Sequence, residues 1–311
     1  MFGGLVSGVV FGSIVTLGSL GLSYVLLLQN YFNFTAGSYV SLGAYFVLAF
    51  MGFLPSMGNL PYVTFGPEWI IAGLLAMVAL GLVMTFVDKT LFSPLRERNA
   101  PFMFFYLTAF GMVFVVRSII RLVWGPQMKF YYSGAAEGLH FWGATIGADE
   151  IFVVVITLVA VGVLYYFQYH TKLGRGMLAM ASNERLAEIS GIRSRDIHTL
   201  VTIIAGVLTA FGGILYGLTV QLRPLMGFNI LLAMFVAVVC GGEGAILGTL
   251  GAGLVVGISQ EFGSKVFQLL FDAIGVPIEM TAYKAVITFV LMVIVMWFKP
   301  NGIFENTFLE K

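Results

Sequence analysis

The sequence predicts an all-α, polytopic integral membrane protein with eight or nine transmembrane helices, some of them broken or short. Only 10% of its 311 residues are charged and 59% are hydrophobic, with a mean hydropathy of +0.97. A soluble domain carries about 25% charged residues, so this chain has too few charges to cover a surface that faces water. Glycine contributes 38 residues, an excess that suits closely packed membrane helices. Apolar runs of bilayer-spanning length recur along the chain.

The same composition excludes several classes of protein. Soluble enzymes, disordered chains and fibrous proteins all need a different balance of charged and apolar residues. The 16 basic and 15 acidic side chains leave a net charge of +1 and form no basic stripe, which argues against nucleic-acid binding. Cys240 is the only cysteine and lies in an apolar run, so no internal disulfide can form and a buried, inert thiol is expected.

The first span illustrates how the helices are predicted. Residues 5–28 carry no charge, and at 1.5 Å per residue they reach about 36 Å, enough to cross a hydrocarbon core of about 30 Å. The first charged residue is Glu68, so the basic n-region of a signal peptide is missing and a retained helix is expected. Similar runs predict further spans at 37–54, 69–87, 102–123, 151–169, 198–219, 245–262 and 282–298.

One more apolar stretch, 229–240, is short and ends in Gly-Gly, so it is interpreted as a half-helix or a re-entrant segment. No stretch resembles a soluble domain or a long linker, and residues 1–311 are therefore predicted to form a single transmembrane domain. Arg117 and Arg121 fall near the end of the fourth predicted span, where they are expected to snorkel to the interface.

The basic residues predict the orientation of the chain. They cluster in two loops that are separated by two spans, so both loops lie on one side, and the positive-inside rule makes that side the cytoplasm. The first loop contains Lys89, Arg96 and Arg98. The second, at about 172–196, contains Lys172, Arg175, Arg185, Arg193 and Arg195.

Motifs for catalysis and cofactor binding are missing from the sequence. There is no phosphate-binding loop, no His-Glu-x-x-His and no Gly-x-Ser-x-Gly, and the three histidines lie far apart. The chain is therefore predicted to be a transport protein and not an enzyme, without a metal or a cofactor. A series of intramembrane carboxylates that could relay protons is missing too, which speaks against an ion-coupled secondary transporter. Sodium binding by the carbonyls of unwound helices keeps that alternative open.

Two polar, helix-breaking segments interrupt the apolar sequence. The turn after the first span contains Asn33, Thr35, Gly37 and Ser38 without any charge. At membrane depth such residues line a cavity or are buried in protein, so this turn is expected to shape a substrate path; an ordinary interfacial turn is the alternative. The second segment, Gly-Gly-Glu-Gly at 241–244, is expected to break a helix and holds an intramembrane carboxylate, Glu243.

The second basic loop contains the signals of a short helix. Asn183 is expected to cap this helix, Glu184 to favour its first turn and Gly191 to end it. The enclosed segment, 184–190, mixes charged side chains with the apolar residues Leu186, Ala187 and Ile189. A short, partly apolar helix in a cytoplasmic loop suits insertion into a groove of a partner protein. A solvated connector on the membrane surface is the alternative.

These segments, in this order, resemble the permease subunits of ABC importers of the branched-chain amino-acid (Liv) type over nearly the whole chain. The resemblance begins in the first span, at 12–22. It continues with Asn-Phe-Thr-Ala-Gly at 33–37, Leu-Gly-Ala-Tyr at 42–45, Leu-Gly-Arg-Gly at 173–176, Asn-Glu-Arg-Leu-Ala at 183–187, Pro224 with Gly227, Gly-Gly-Glu-Gly-Ala-Ile-Leu-Gly at 241–248 and Pro-Asn-Gly-Ile-Phe at 300–304. The chain departs from the family where Thr35-Ala36 replaces a frequent Ala-His, Ser38 a frequent acid and Glu243 an apolar residue.

The resemblance implies the permease subunit of an ATP-driven importer in the cell membrane of a prokaryote. Leucine, isoleucine and valine are the expected cargo, and urea, short amides, sugars or other amino acids are the alternatives. The implied partners are a second permease subunit in a hetero- or homodimer, two cytoplasmic P-loop ATPase subunits, an extracytoplasmic solute-binding protein that meets outward loops such as 125–150, and the lipid bilayer.

The resemblance also implies roles for individual residues. The substrate path is expected to include Asn33, Thr35, Gly37, Ser38 and Tyr45. A helix break or gate is expected at Pro224, Gly241, Gly242, Glu243 and Gly244. Coupling to the ATPase subunits is expected to use Asn183, Glu184, Leu186, Ala187, Ile189 and Gly191.

Overall fold

A computed structural model of the protein describes residues 2–55, 58, 63–132, 138–141, 144–274, 283–299 and 302. Its helices are α1 (Phe2–Gln29), α2 (Ala36–Met51), α3 (Pro67–Val87), α4 (Ser93–Glu97), α5 (Phe102–Trp124), α6 (Ala148–His170), α7 (Lys172–Ser182), α8 (Glu184–Ile189), α9 (Ser194–Thr219), α10 (Met226–Gly241), α11 (Ile246–Ile274) and α12 (Lys284–Phe298). A π-helical turn, Asp88–Phe92, joins α3 to α4. The closing motif at 300–304 lies outside the described residues apart from Gly302.

The all-α, multi-pass prediction is confirmed for the described part of the chain. Six helices are long and apolar enough to cross a membrane, and α2, α10 and α12 are shorter apolar helices. The stretch predicted at 229–240 is the helix α10, which begins at Met226. A two-stranded antiparallel hairpin, β1 (Gly138–Phe141) with β2 (Ala144–Gly147), lies in the loop before α6 and was not predicted.

The helix α11 extends well beyond its predicted end at residue 262. Polar side chains in its second half find partners on the neighbouring helix α12. The Glu261 carboxylate forms an ion pair with the Lys284 ammonium, Nζ to Oε1 2.6 Å, and the Gln260 amide donates a hydrogen bond to the Thr288 hydroxyl. Because these polar groups have hydrogen-bond and ion-pair partners inside the protein, the helix continues after the apolar run has ended.

Glycines bring α1 and α11 together in antiparallel contact. A Cβ on Gly8 would lie 2.8 Å from the Cα of Ile258, and one on Gly12 would lie 2.8 Å from the Cα of Leu254. On the facing helix, a Cβ on Gly257 would overlap the Gly12 backbone. The four-residue glycine spacing therefore does produce close helix packing, as the sequence predicts.

The helices α1 and α9 form the centre of the bundle. The most apolar stretch of each is 72% buried, compared with 22% for α6. The two helices are antiparallel, because Gly18 faces Gly212 while Gly21 faces Ala205. The exposed faces of α3, α6 and α12 carry large apolar side chains, which suits contact with lipid.

Each central helix is followed by a six-residue connector and a 16-residue helix, α2 after α1 and α10 after α9. The first turns of α2 and α10 meet at two glycines. A Cβ on Gly37 would lie 2.7 Å from the carbonyl oxygen of Gly227 and 3.2 Å from the Leu231 Cβ, and the Gly227 amide donates to the Ser41 hydroxyl at 3.0 Å. These contacts make the two short helices antiparallel, with their amino-terminal turns overlapping inside the bundle.

The two basic loops lie at one end of the bundle, as predicted from their spacing. A cavity of about 550 Å³ is lined by residues of both, among them Lys89, Arg96, Glu184 and Arg195. The loops after α5 and α9 meet at the opposite end, where Lys129 and Leu222 form an isolated β-bridge. We refer to these as the basic end and the opposite end.

Candidate functional site

The turn between α1 and α2 lies inside the bundle. Thr35 is fully buried, and its hydroxyl donates to the carbonyl of Ala109 at 2.7 Å, while its amide donates to Asn33 Oδ1 at 3.0 Å. The Ser38 hydroxyl donates to the carbonyl of Val113 at 3.4 Å. Ala109 is seven residues into α5, about 10 Å from its start, so this turn is not at the membrane surface.

The five residues expected in the substrate path therefore have different surroundings. Asn33, Thr35 and Ser38 are buried, the latter two against α5, and Gly37 packs on α10. Tyr45 is two turns further along α2, where its ring lies 5.5 Å from that of Trp124. Its hydroxyl is buried and has no hydrogen-bond partner among the described residues. The role of these residues in transport stays a prediction.

The residues expected at a helix break or gate fall into two places. Pro224 precedes α10 and Gly241 ends it, so the two are separated by the length of that helix, about 24 Å. The predicted break at Gly-Gly-Glu-Gly is confirmed, since Gly242 (φ 90°) and Gly244 (φ 70°) adopt the left-handed conformation that favours glycine. The Gly244 amide donates to Ser23 Oγ on α1 at 2.8 Å, which fixes this break to the centre of the bundle.

The predicted short helix of the basic loop is present as α8. Its Asn183 cap accepts a hydrogen bond at Oδ1 from the Leu186 amide at 3.0 Å. Gly191, with φ 89°, ends the turn that follows the helix. The preceding helix α7 is capped in the same way, because Thr171 Oγ1 accepts from the Gly174 amide at 3.0 Å. Side-chain caps thus account for both breaks in this loop.

The helix α8 exposes its apolar side chains at the basic end. Leu186 is 62% exposed and Ile189 85% exposed, whereas Ala187 is buried and attaches the helix to the bundle. Glu184, the first residue of α8, lies 3.4 Å from His198 of α9, Oε1 to Nε2. The helix therefore presents an apolar surface outward while one acidic side chain connects it to a central helix.

A partly buried ion pair lines the cavity at the basic end. The Arg96 guanidinium donates two hydrogen bonds to the Asp88 carboxylate, at 2.9 and 2.7 Å. Gln29, the last residue of α1, donates to the same carboxylate at 3.4 Å and to Thr202 of α9 at 3.5 Å. Asp88 also begins the π-helical turn, a distortion that is frequent at functional sites. The polar groups thus join the ends of α1, α3 and α9.

A second cavity, of about 430 Å³, lies at the opposite end and is lined by Tyr131, Tyr132 and residues 217–221. Burial raises the pKa of the Tyr132 phenol to about 12, so this group stays neutral and donates to Glu68 Oε1 at 3.1 Å. The Thr64 amide donates to Asp149 at 3.1 Å. These contacts join the segment after α5 to the first turn of α3, and the loop before α3 to the first turn of α6.

The side chain of Arg117 does not point toward the membrane interface beyond the end of α5 but contacts another helix. Its guanidinium carbon lies 5.4 Å from the ring centroid of Phe228, in the first turn of α10, which is a cation–π contact. The sequence identified the intramembrane arginine but not its contact, because Phe228 lies in another part of the chain and nothing in the local pattern connects the two.

Comparison with known proteins identifies the family of this chain. Residues 4–296 match the family described as "Branched-chain amino acid transport system / permease component". The high-affinity branched-chain amino acid transport system permease protein BraD of Pseudomonas aeruginosa is 26% identical over 99% of this chain and 96% of the relative. The probable branched-chain amino acid transport permease protein LivH of Methanocaldococcus jannaschii is 25% identical over 96% of this chain and 91% of the relative.

A shorter similarity is found to the ribose import permease protein RbsC of Escherichia coli, which is 33% identical over 100 residues, 30% of this chain and 31% of the relative. The family match covers nearly the whole bundle, from α1 to α12. The chain therefore belongs to the permease component family of branched-chain amino acid transport systems, and it is a multi-pass membrane transport protein.

Proposed function

We propose that this protein is the transmembrane permease subunit of an ATP-driven importer of amino acids, with the branched-chain amino acids as its first expected cargo. The full-length similarity to BraD and LivH supports this proposal. The sequence has no phosphate-binding loop of its own, so ATP hydrolysis belongs to separate P-loop subunits at the basic end. A second permease subunit and an extracytoplasmic solute-binding protein complete the assembly, in the cell membrane of a prokaryote.

The observation that carries the coupling role is the exposed apolar surface of α8. Leu186 and Ile189 extend from the bundle at the end where basic residues cluster, and a short helix of this kind fits a groove on a partner. Nucleotide binding changes the transport path only through contacts that differ between two states of the complex. Contacts between α8 and the ATPase subunits meet that requirement, and the Glu184–His198 contact connects α8 to the central helix α9.

The first experiment is to purify the chain from its native membranes in mild detergent and identify the co-purifying proteins by mass spectrometry. We expect a P-loop ATPase, which is lost from an Ile189→Asp variant because a charge desolvated in an apolar groove is unfavourable. Phe53→Asp is the matched control, since Phe53 is 87% exposed but follows α2 at the opposite end. A chain that purifies alone and takes up solute under an ion gradient would contradict the proposal.

The similarity to RbsC over 100 residues favours a sugar as the second candidate cargo. The co-purified solute-binding protein separates the two candidates. Thermal-shift measurements with leucine, isoleucine, valine, ribose and urea are expected to show stabilisation by a branched-chain amino acid, because a ligand that binds only the folded state raises its stability. Stabilisation by ribose alone would assign the chain to sugar import.

A further inference from the structure

Arg117 lies at membrane depth in the structure. It is seven residues before the end of α5, about 10 Å inside that end. The first turn of α10 lies at the same depth as Arg117. In α2, Ser38 is hydrogen-bonded to Val113, one turn before Arg117 in α5, and Ser41, one turn after Ser38, is hydrogen-bonded to Gly227 of α10. Since the guanidinium rests on Phe228 of that turn, it stays inside the membrane-spanning region and does not snorkel.

No acidic partner of this arginine is found in the part of the chain that the structure describes. Among the described residues, no carboxylate oxygen lies within 4.0 Å of Arg117 or of Arg121, one turn nearer the end of α5. Two cations at i and i+4 repel each other, and charges within a membrane span are costly unless they face a cavity or a ligand. An arginine at this depth is a candidate for recognising an anion.

The surroundings of Arg117 complement one kind of anion. The Arg117 guanidinium lies over the Phe228 ring, and a guanidinium has the planar fork that can hold a carboxylate through two hydrogen bonds. Asn229, the next residue of α10, is exposed and carries an amide group. The α5 stripe that contains Arg117 and Arg121 continues toward the basic end with the exposed rings of Phe114 and Phe110.

We propose that Arg117, held on Phe228 and assisted by Arg121 and Asn229, binds the carboxylate of the transported solute, while Phe110 and Phe114 contact its apolar side chain. The proposal rests on the proposed function and narrows its substrate class to carboxylic acids with apolar side chains, branched-chain amino acids included. The site lies on the exposed side of α5, and the proposal assigns this side to the interface with the second permease subunit.

The test is uptake of radiolabelled L-leucine by proteoliposomes that contain the complete complex of both permease subunits, ATPase subunits and solute-binding protein. Arg117→Gln is expected to lower uptake about tenfold or more, as expected for loss of a charge-assisted bidentate contact. Arg117→Lys, which keeps the charge but loses the planar fork, is expected to give an intermediate rate. Removing an intramembrane charge does not oppose insertion, so the variant is expected to fold.

Arg223→Gln is the matched control, because Arg223 is an exposed cation of the opposite end whose donors go to Met128 and Gln221. Its uptake is expected to equal that of the wild type. Equal uptake by Arg117→Gln and the wild type would overturn the carboxylate site and leave the proposed function intact. Failure of Arg117→Gln to co-purify with its partners would also overturn it, because Arg117 would then serve assembly. A wild-type complex without leucine uptake would instead contradict the proposed function.

Discussion

Glycines of α1 and α11 allow close contact between these two helices, and they support a prediction about single residues. Replacing Gly257 by alanine is expected to destabilise the protein by about 1–3 kcal/mol, because the new methyl group would overlap the Gly12 backbone and the helices would have to separate. Thermal unfolding in detergent, followed by size-exclusion chromatography, measures the effect. Gly162→Ala is the control, since a Cβ on Gly162 meets nothing within 4 Å. Equal melting temperatures for the two variants would contradict the packing argument.

The Asp88–Arg96 pair gives a second prediction at this scale. Asp88→Asn is expected to cost about 1–3 kcal/mol, because it leaves the partly buried Arg96 guanidinium without its counter-ion. The double variant Asp88→Asn with Arg96→Gln removes both charges and is expected to recover part of the lost stability. Melting temperatures of the wild type, both single variants and the double variant provide the measurement. A double variant less stable than Asp88→Asn would show that the pair is not the source of the effect.

The sequence predicted the roles of some single residues but not the contacts of others. The caps at Asn183 and Gly191 were predicted, because a cap depends on residues three or four positions away. The Asp88–Arg96 pair and the Arg117–Phe228 contact were not, although their residues were visible as rare charges. Such contacts depend on how distant helices approach each other, and no local pattern contains that information.

The helix α8 carries the prediction that belongs to the scale of elements. Gly191→Leu is expected to leave membrane insertion intact and to uncouple ATP hydrolysis from uptake, because a leucine is strained at φ 89° and would reorient α8. Parallel assays of ATPase activity and leucine uptake by the reconstituted complex measure the coupling. Gly58→Leu is the matched control, with φ 81°, open space around its Cβ and a position between α2 and α3 at the opposite end. Coupled uptake in Gly191→Leu would exclude a coupling role for α8.

Most helices were predicted to within a few residues, because long uncharged runs leave few other structures possible in a membrane. The errors have a common origin. The end of α11 was placed too early since its polar residues, Gln260 and Glu261, are satisfied by α12 instead of water. The hairpin before α6 was missed because its strands are four residues each, too short for an alternating pattern to be recognised.

The orientation of the whole molecule follows from the basic end and can be tested directly. The one cysteine, Cys240, is buried, so a Cys240→Ala variant provides a background for single-cysteine labelling. We expect a membrane-impermeant thiol reagent to label Phe53→Cys on intact cells and Ile189→Cys only after permeabilisation, because the basic end faces the cytoplasm. Labelling of Ile189→Cys on intact cells would reverse the orientation.

At this scale the sequence predicted which residues break the helices but not how the breaks are arranged. Asn33 to Ser38 and Pro224 stood out as polar or helix-breaking positions in apolar surroundings. Their separation within the bundle depends on the direction of α2 and α10, which is determined by glycine contacts between helices far apart in the chain. The chemistry of a candidate site was therefore predictable, whereas its geometry required the packed bundle.

The meeting of Gly37 and Gly227 has a mechanical consequence. The helix pairs α1–α2 and α9–α10 have the same construction but opposite directions, and their short helices touch inside the bundle, glycine against glycine. A rigid rotation about an interior pivot displaces the two ends of a body in opposite directions. If the contact between Gly37 and Gly227 is that pivot, one movement opens the molecule toward one face of the membrane and closes it toward the other.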